Sequence, residues 1–245
     1  MAVKSMTYTL PNTEEKSVYV EQMFNKIAQK YDLFNDIITF GMHRHWKKFV
    51  ARQTDLHAEQ SCLDLCCGTG DIAREVLRQY PSSKVTGLDF SEEMLNIAES
   101  KNTSEIAVKY VPGDAMNIPF QDAVFDAVTI GYGMRNVQDI SQFLREILRV
   151  LKPEGVLVSL DVGKVRIPIL AELNHFYFFQ IVPLVGKLLM PGEKIFQYLP
   201  ESSLEYPNQD SLKNLMIETG FQKVEFHNFV FGASAVHVAY KPAKN

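Results

Sequence analysis

Apolar residues fall along this chain in two rhythms, and the change between them marks its organisation. Val20, Met23, Phe24, Ile27 and Ala28 recur at helical spacing, which predicts an amphipathic helix over 18–28. Trp46, Phe49 and Val50 mark a second helical stretch. From Ser61 onwards, short apolar runs alternate with amphipathic ones. Strands are expected at 61–66, 84–89, 107–111, 123–130 and 156–160. Helices are expected after the first strand to about Tyr80, from Ser91, and from about Ile140 to Leu151. Ser91 with Glu92 and Glu93 makes a favourable helix start, and Lys152-Pro-Glu-Gly155 a stop. A strand apolar or small at nearly every position, as 123–130 is, suits the middle of a parallel sheet covered on both faces.

The pattern then changes. Residues 168–190 are rich in aromatic and aliphatic side chains but are interrupted by Glu172, Asn174, His175, Pro183 and Gly186, so they read as broken helix rather than a membrane span. A helix near 211–219 ends at Gly220, and strands at 224–230 and 235–240 are close enough to pair as a hairpin. The fold class is therefore α/β: a doubly wound, seven-stranded, mostly parallel sheet with an antiparallel C-terminal hairpin. Residues 1–17 read as a flexible tail and 18–245 as a single domain, with an N-terminal helical cap at 18–58 and a helical, substrate-covering insertion at 166–205.

Composition adds bounds. With 245 residues, 46% hydrophobic and 22% charged, the chain can bury an ordinary core. A net charge of −4 gives no sign of a nucleic-acid partner, which calls for a basic surface. Cys62, Cys66 and Cys67 cluster inside and just after one expected strand, which is neither a disulfide framework nor a metal spacing. No metal is expected. The N-terminus lacks the layout of a signal peptide. These features point to a reducing, cytoplasmic setting.

The chemistry concentrates at strand ends. Leu65-Cys-Cys-Gly68-Thr69-Gly70-Asp71 is a glycine turn between the first strand and its helix, where backbone N–H groups can meet a ligand. Asp89 ends the second strand about 20 residues on, where a ribose-binding carboxylate usually sits. Asp114 follows the third strand, suited to an adenine amine. No third glycine follows the turn, and Asp71 stands where a pyrophosphate would be repelled. That favours a phosphate-free, positively charged adenosyl cofactor, S-adenosylmethionine. Gly131-Tyr132-Gly-Met-Arg135-Asn136 follows the fourth strand, placing Arg135 toward the same cleft. Upstream, Tyr31, Asn35, His43, His45 and Trp46 form a mixture that helix propensity does not require.

At these residues the chain resembles the ubiquinone/menaquinone-biosynthesis C-methyltransferase family (UbiE/MenG) among the class I S-adenosylmethionine-dependent methyltransferases. The resemblance runs from about Phe24 to the C-terminus. It rests on Tyr31…Asn35…His43…Trp46, the turn Asp64-Leu-Cys-Cys-Gly-Thr-Gly-Asp71, Asp122…Phe125-Asp126, Gly133-Met-Arg-Asn136, Arg149-Val-Leu-Lys-Pro153 and Tyr198-Leu-Pro-Glu201…Gly220-Phe221. It implies C-methylation of a prenylated quinol ring, with demethylmenaquinol as the leading acceptor and phylloquinone or ubiquinone precursors, or another aromatic, as alternatives. By position, Gly68, Thr69, Gly70, Asp71, Asp89, Asp114, Ala115 and Gly131 would surround the cofactor. Arg135, Asn136 and His43 would stand at the reacting ring, with Tyr31, Asn35, Tyr132 and His175 around the substrate.

A prenylated acceptor suits a peripheral membrane contact, and a homodimer is compatible with the family. The chain departs from the family pattern at Phe34 and Thr39, where Met or Leu and Ser are usual. It departs again at Gly131, where some relatives have a cofactor-contacting Ser, and in Lys152-Pro-Glu154-Gly155…Asp161-Val-Gly163, where Lys-Pro-Gly-Gly…Glu-x-Ser is usual. An NAD-dependent oxidoreductase would share the sheet and the ribose acid. A catalytically silent cofactor binder would share both as well, but the intact Asp89 and Arg135 speak against it.

Overall fold

The computed structural model describes residues 13–191 and 195–244. Seven strands form one sheet: β1 Ser61–Leu65, β2 Lys84–Asp89, β3 Lys109–Pro112, β4 Phe125–Gly131, β5 Leu151–Val162, β6 Gln222–Phe229 and β7 Ser234–Tyr240. Their order is β3-β2-β1-β4-β5-β7-β6, with β1 to β5 parallel and β7 antiparallel to both its neighbours. The order reverses between β1 and β4, so a crevice opens at their carboxyl ends.

Alternate strand residues feed two cores. On one face Leu63, Leu65, Val128, Ile130 and Leu157 pack on α5 (Ile140–Val150) and α9 (Gln209–Thr219). On the other, Cys62, Val85, Ala127 and Val158 pack on α2 (Met42–Gln53), α3 (Asp71–Gln79) and α4 (Glu92–Ser100). A third cluster lies beyond the strand tips. There α1 (Thr13–Thr39) packs on α7 (Val182–Leu189) and α8 (Ile195–Glu205), with Met94 of α4 as the joint.

Several boundaries differ from the sequence reading. The first helix extends to Thr39 rather than stopping near Ala28, because Tyr31, Phe34 and Ile38 continue its apolar face into the third cluster. It also begins at Thr13, inside the stretch expected as a tail. Phe40 and Gly41, both left-handed (φ 51° and 71°), turn the chain into α2. Tyr31, Asn35, His43 and Trp46 thus sit on two successive helices. The α5 helix ends at Val150, and β5 already begins at Leu151; a register shift lets Lys152–Gly155 bulge before regular pairing resumes at Val156.

Residues 168–189 are helical throughout, as α6 (Pro168–Phe176), a π turn (Tyr177–Ile181) and α7. Pro183 has no N–H for the carbonyl four residues back, and the widened turn just before it accommodates that loss without a break.

Candidate active site

The turn after β1 is left-handed at Cys66, Gly68 and Gly70 (φ 50°, 53° and 77°) and delivers the chain to α3. Asp64 ties this corner together from inside β1. One carboxylate oxygen accepts the Ala73 N–H at the start of α3 (3.1 Å), and the other accepts the Thr129 hydroxyl of β4 (2.7 Å). Burial pushes its carboxyl up to about 7. Asp89 is also buried. It accepts the Gly68 N–H (2.8 Å) and the Ser91 N–H (3.0 Å), fixing the turn against β2, and burial pushes it up to about 6. Asp114 is exposed and accepts the Met116 N–H (2.8 Å), while Ala115 beside it is buried.

The donor set of this crevice is acidic. Besides burial, the carboxylates of Asp89, Asp64, Asp114 and Asp161 push the Cys66 thiol well up. Among the described residues, no basic side chain ion-pairs with Asp89 or Asp114. With no cation paired to Asp89 or Asp114, the crevice fits a cationic, phosphate-free adenosyl group and would repel a pyrophosphate.

Asp71 and Thr69 are placed differently from expectation. Asp71 is paired with Lys47 (2.8 Å) and Arg74 (2.7 Å), with Lys101 at 3.7 Å. Burial alone would raise its carboxyl, but these cations hold it well below the usual carboxylate range. It is therefore not a free counter-charge for a cationic ligand. The Thr69 hydroxyl donates to Asp32 of α1 (2.7 Å), and Asp32 also accepts from Lys101. Together these contacts fasten α1 across the glycine turn.

Beside the crevice lies an apolar cavity of about 380 Å³. Its walls include Tyr31, Asn35, His43, Tyr132 and Arg135, all singled out from the sequence. Phe34, Phe196, Leu173 and Phe231 add apolar wall from α1, α8, α6 and the β6–β7 link. Tyr132 follows Gly131 at the tip of β4, so the cavity reaches the end of the sheet at which the crevice opens.

Arg135 is the cavity's one formally charged wall among the described residues. Its Nη1 donates to Asp161 Oδ1 (2.7 Å) and to the Tyr132 carbonyl (3.0 Å), and both charged side chains are almost fully buried. Burial opposes its charge, yet Asp161 more than compensates and its pKa rises. The acid at the family-variant position 161 is thus this arginine's counter-ion, turned away from the open cavity. At the other variant position, a Cβ on Gly163 would collide with the Gly232 carbonyl and Gln209, so no serine fits there.

His43 is buried, with Nδ1 2.7 Å from the Thr39 hydroxyl and Nε2 3.8 Å from Asp36. Burial, helped by Lys47, pushes its pKa down to about 4. At neutral pH the ring is uncharged and a weak proton acceptor, suited to hydrogen bonding and shape. Burial pushes the Tyr31 and Tyr132 phenols up, so both remain neutral donors.

Two expected residues do not line the cavity. Asn136 lies just outside it, donating to the Tyr132 carbonyl (3.2 Å) and accepting from the Tyr198 hydroxyl (3.0 Å), so it braces the arginine-bearing turn. His175 is exposed and stacks on Phe179. Phe196 falls within the expected covering insertion, whereas the walls at Val230 and Phe231 lie in the final hairpin, outside every expected site. Val230 and Phe231 adopt left-handed conformations (φ 47° and 56°), and the only local hint is an aromatic pair beside Gly232 in the final hairpin.

Known proteins resemble this chain along nearly all its length. Residues 12–241 match the model of the ubiE/COQ5 methyltransferase family. A demethylmenaquinone methyltransferase of Leptospira interrogans is 44% identical, covering 97% of this chain and 98% of its own. One of Staphylococcus aureus is 39% identical over 92% and 94%. A solved S-adenosylmethionine-dependent methyltransferase of Thermotoga maritima superposes with a TM-score of 0.63 at 21% identity, over 90% of this chain and 99% of that one. That likeness speaks for the fold. Matched along nearly its whole length, the chain belongs to the ubiE/COQ5 methyltransferase family.

Proposed function

We propose that this protein methylates a ring carbon of a reduced, prenylated naphthoquinone, demethylmenaquinol, using S-adenosylmethionine. The observation that carries the reading is the apolar cavity with a single cationic wall, reaching at Tyr132 the end of the sheet where an acidic crevice opens. A quinol offers what such a site matches: a flat ring with ionisable oxygens and a long hydrocarbon tail. Relatives covering almost the full chain are named demethylmenaquinone methyltransferase.

Gly68, Asp89, Asp114 and Ala115 would hold the donor, Asp89 through the ribose hydroxyls. When bound, S-adenosylmethionine supplies an electrophilic methyl group and leaves as the neutral thioether. The Arg135 guanidinium stabilises charge on the quinol oxygen, which raises electron density on the neighbouring ring carbon. Tyr31, Asn35 and the neutral His43 orient the ring, and the apolar wall excludes water. Once the new carbon–carbon bond forms, the ring proton leaves; with His43 so weak a base, water at the crevice is the better acceptor.

The test is incubation with methyl-labelled S-adenosylmethionine and reduced demethylmenaquinone, with mass spectrometry of the product. Label on the ring carbon is expected. Label released by mild hydrolysis, or present as an ether, refutes the reading.

The cavity also limits the tail. Gly186 of α7 is the recess into which the Phe196 ring sits, and a Cβ there would lie inside that ring. Gly186→Ala is expected to push Phe196 toward Phe34 and shrink the cavity. In competition among acceptors of graded tail length, preference should shift to shorter tails by roughly tenfold, the value of about two lost methylene contacts. An unchanged profile would show that Phe196 does not bound the tail.

A further inference from the structure

The six most exposed large apolar side chains among the described residues are Phe40, Leu188, Ile169, Phe231, Leu173 and Phe176, from 79% down to 58% exposed. They come from just three segments: the α1–α2 turn, the helical stretch Pro168–Leu189 and the β6–β7 link. Three of them, Phe40, Leu173 and Phe231, also line the cavity, one from each segment. The cavity mouth is therefore rimmed by outward-facing apolar groups.

Along Pro168–Leu189, the residues Ile169, Leu173, Phe176, Leu184 and Leu188 repeat at helical spacing and face outward. The opposite side of the same stretch, including Val182 and Tyr177, packs in the third cluster. Such a helix is apolar on both sides, which a water-facing helix is not. The stretch is long and apolar enough to cross a membrane by length and composition, and little of it is buried inside the protein. Crossing would strip Val182 and Gly186 from α1 and α8, so the segment suits lying on a membrane rather than spanning one.

Resting on the quinol reading above, we propose that this face seats on a lipid bilayer, with the rim of the cavity sunk among the acyl chains. A prenyl tail then passes between membrane and cavity without crossing water. The occupant is argued from continuity: the face surrounds the mouth of a site for a hydrocarbon tail, and the bilayer is where such tails dissolve. Charge narrows the mode of binding. Pro168–Leu189 carries only Glu172 and Lys187, and the nearby Arg44 and Arg166 are each paired with an acid, Asp36 and Asp210. Apolar burial drives the contact, so anionic lipid is not required.

The test is flotation of the full-length protein with phosphatidylcholine vesicles at low and at high salt. The wild type should float at both, because screening acts on charge and not on apolar burial. The double variant Ile169→Ser, Leu188→Ser touches neither cavity wall nor cofactor crevice. It should lose vesicle binding by roughly tenfold or more, while its melting temperature and its turnover of a short-tailed, water-soluble quinol stay unchanged. Turnover of a long-tailed quinol embedded in vesicles should fall with binding. The proposal is overturned if the wild type does not float, if the variant floats equally, or if the face is buried in a stable dimer that the same substitutions dissociate. Vesicle binding is read without methyl transfer, so flotation without quinol methylation would remove the substrate reading alone.

Discussion

Replacing Arg135 by leucine will strand the Asp161 carboxylate, almost fully buried, without its cation, and the fold is expected to lose about 3–5 kcal/mol of unfolding free energy. Asp161 would keep the Val162 N–H (2.8 Å) and the backbone N–H of residue 135 (3.3 Å), which soften but do not replace an ion pair. The double variant Arg135→Leu, Asp161→Leu removes both charges together, so it should recover most of that stability. It should not recover turnover, because no cation then faces the quinol oxygen. Urea unfolding and steady-state assays on the two variants, each against the wild type, separate the two roles. A double variant that is stable and fully active would show the pair to be purely structural.

Asp89→Ala is expected to weaken binding of S-adenosylhomocysteine by roughly 100-fold or more. Two charge-assisted bonds to ribose hydroxyls are worth about 1.5–3 kcal/mol each, and each 1.4 kcal/mol is about tenfold in affinity. The substitution also releases the Gly68 and Ser91 N–H groups, loosening the turn that the adenosyl group must meet. Isothermal titration reads the loss directly. Asp89→Asn can keep one backbone acceptor and should fall between alanine and wild type. Affinity retained within a few-fold in both variants would take Asp89 out of the site.

The contrast between Asp89 and Asp71 shows where local reading ends. Both are acids near the glycine turn, and from sequence both suit a cationic ligand. Asp89 is fixed by backbone N–H groups of its own corner, so its place follows from the strand and turn around it. Asp71 is neutralised by Lys47 from α2 and Lys101 after α4, partners 24 and 30 positions away. No spacing rule announces those pairings. Likewise, Asp161 stands out in the sequence only as a departure from the family pattern, and its role appears when β5 and the turn after β4 bring it against Arg135.

What the sequence by itself determined is the sheet, its doubly wound order, the glycine turn and the acids at the strand tips. Those features follow from residue periodicity and turn chemistry, which act over a few residues. The tertiary structure alone decided the substrate side: a first helix carried through to Thr39, a cavity walled from five separate segments, and an apolar stripe left facing outward on Pro168–Leu189. Cavity walls and exposed faces depend on which helices meet across long stretches of chain, and an apolar residue has the same local pattern whether its partner is a core, a ligand or a lipid.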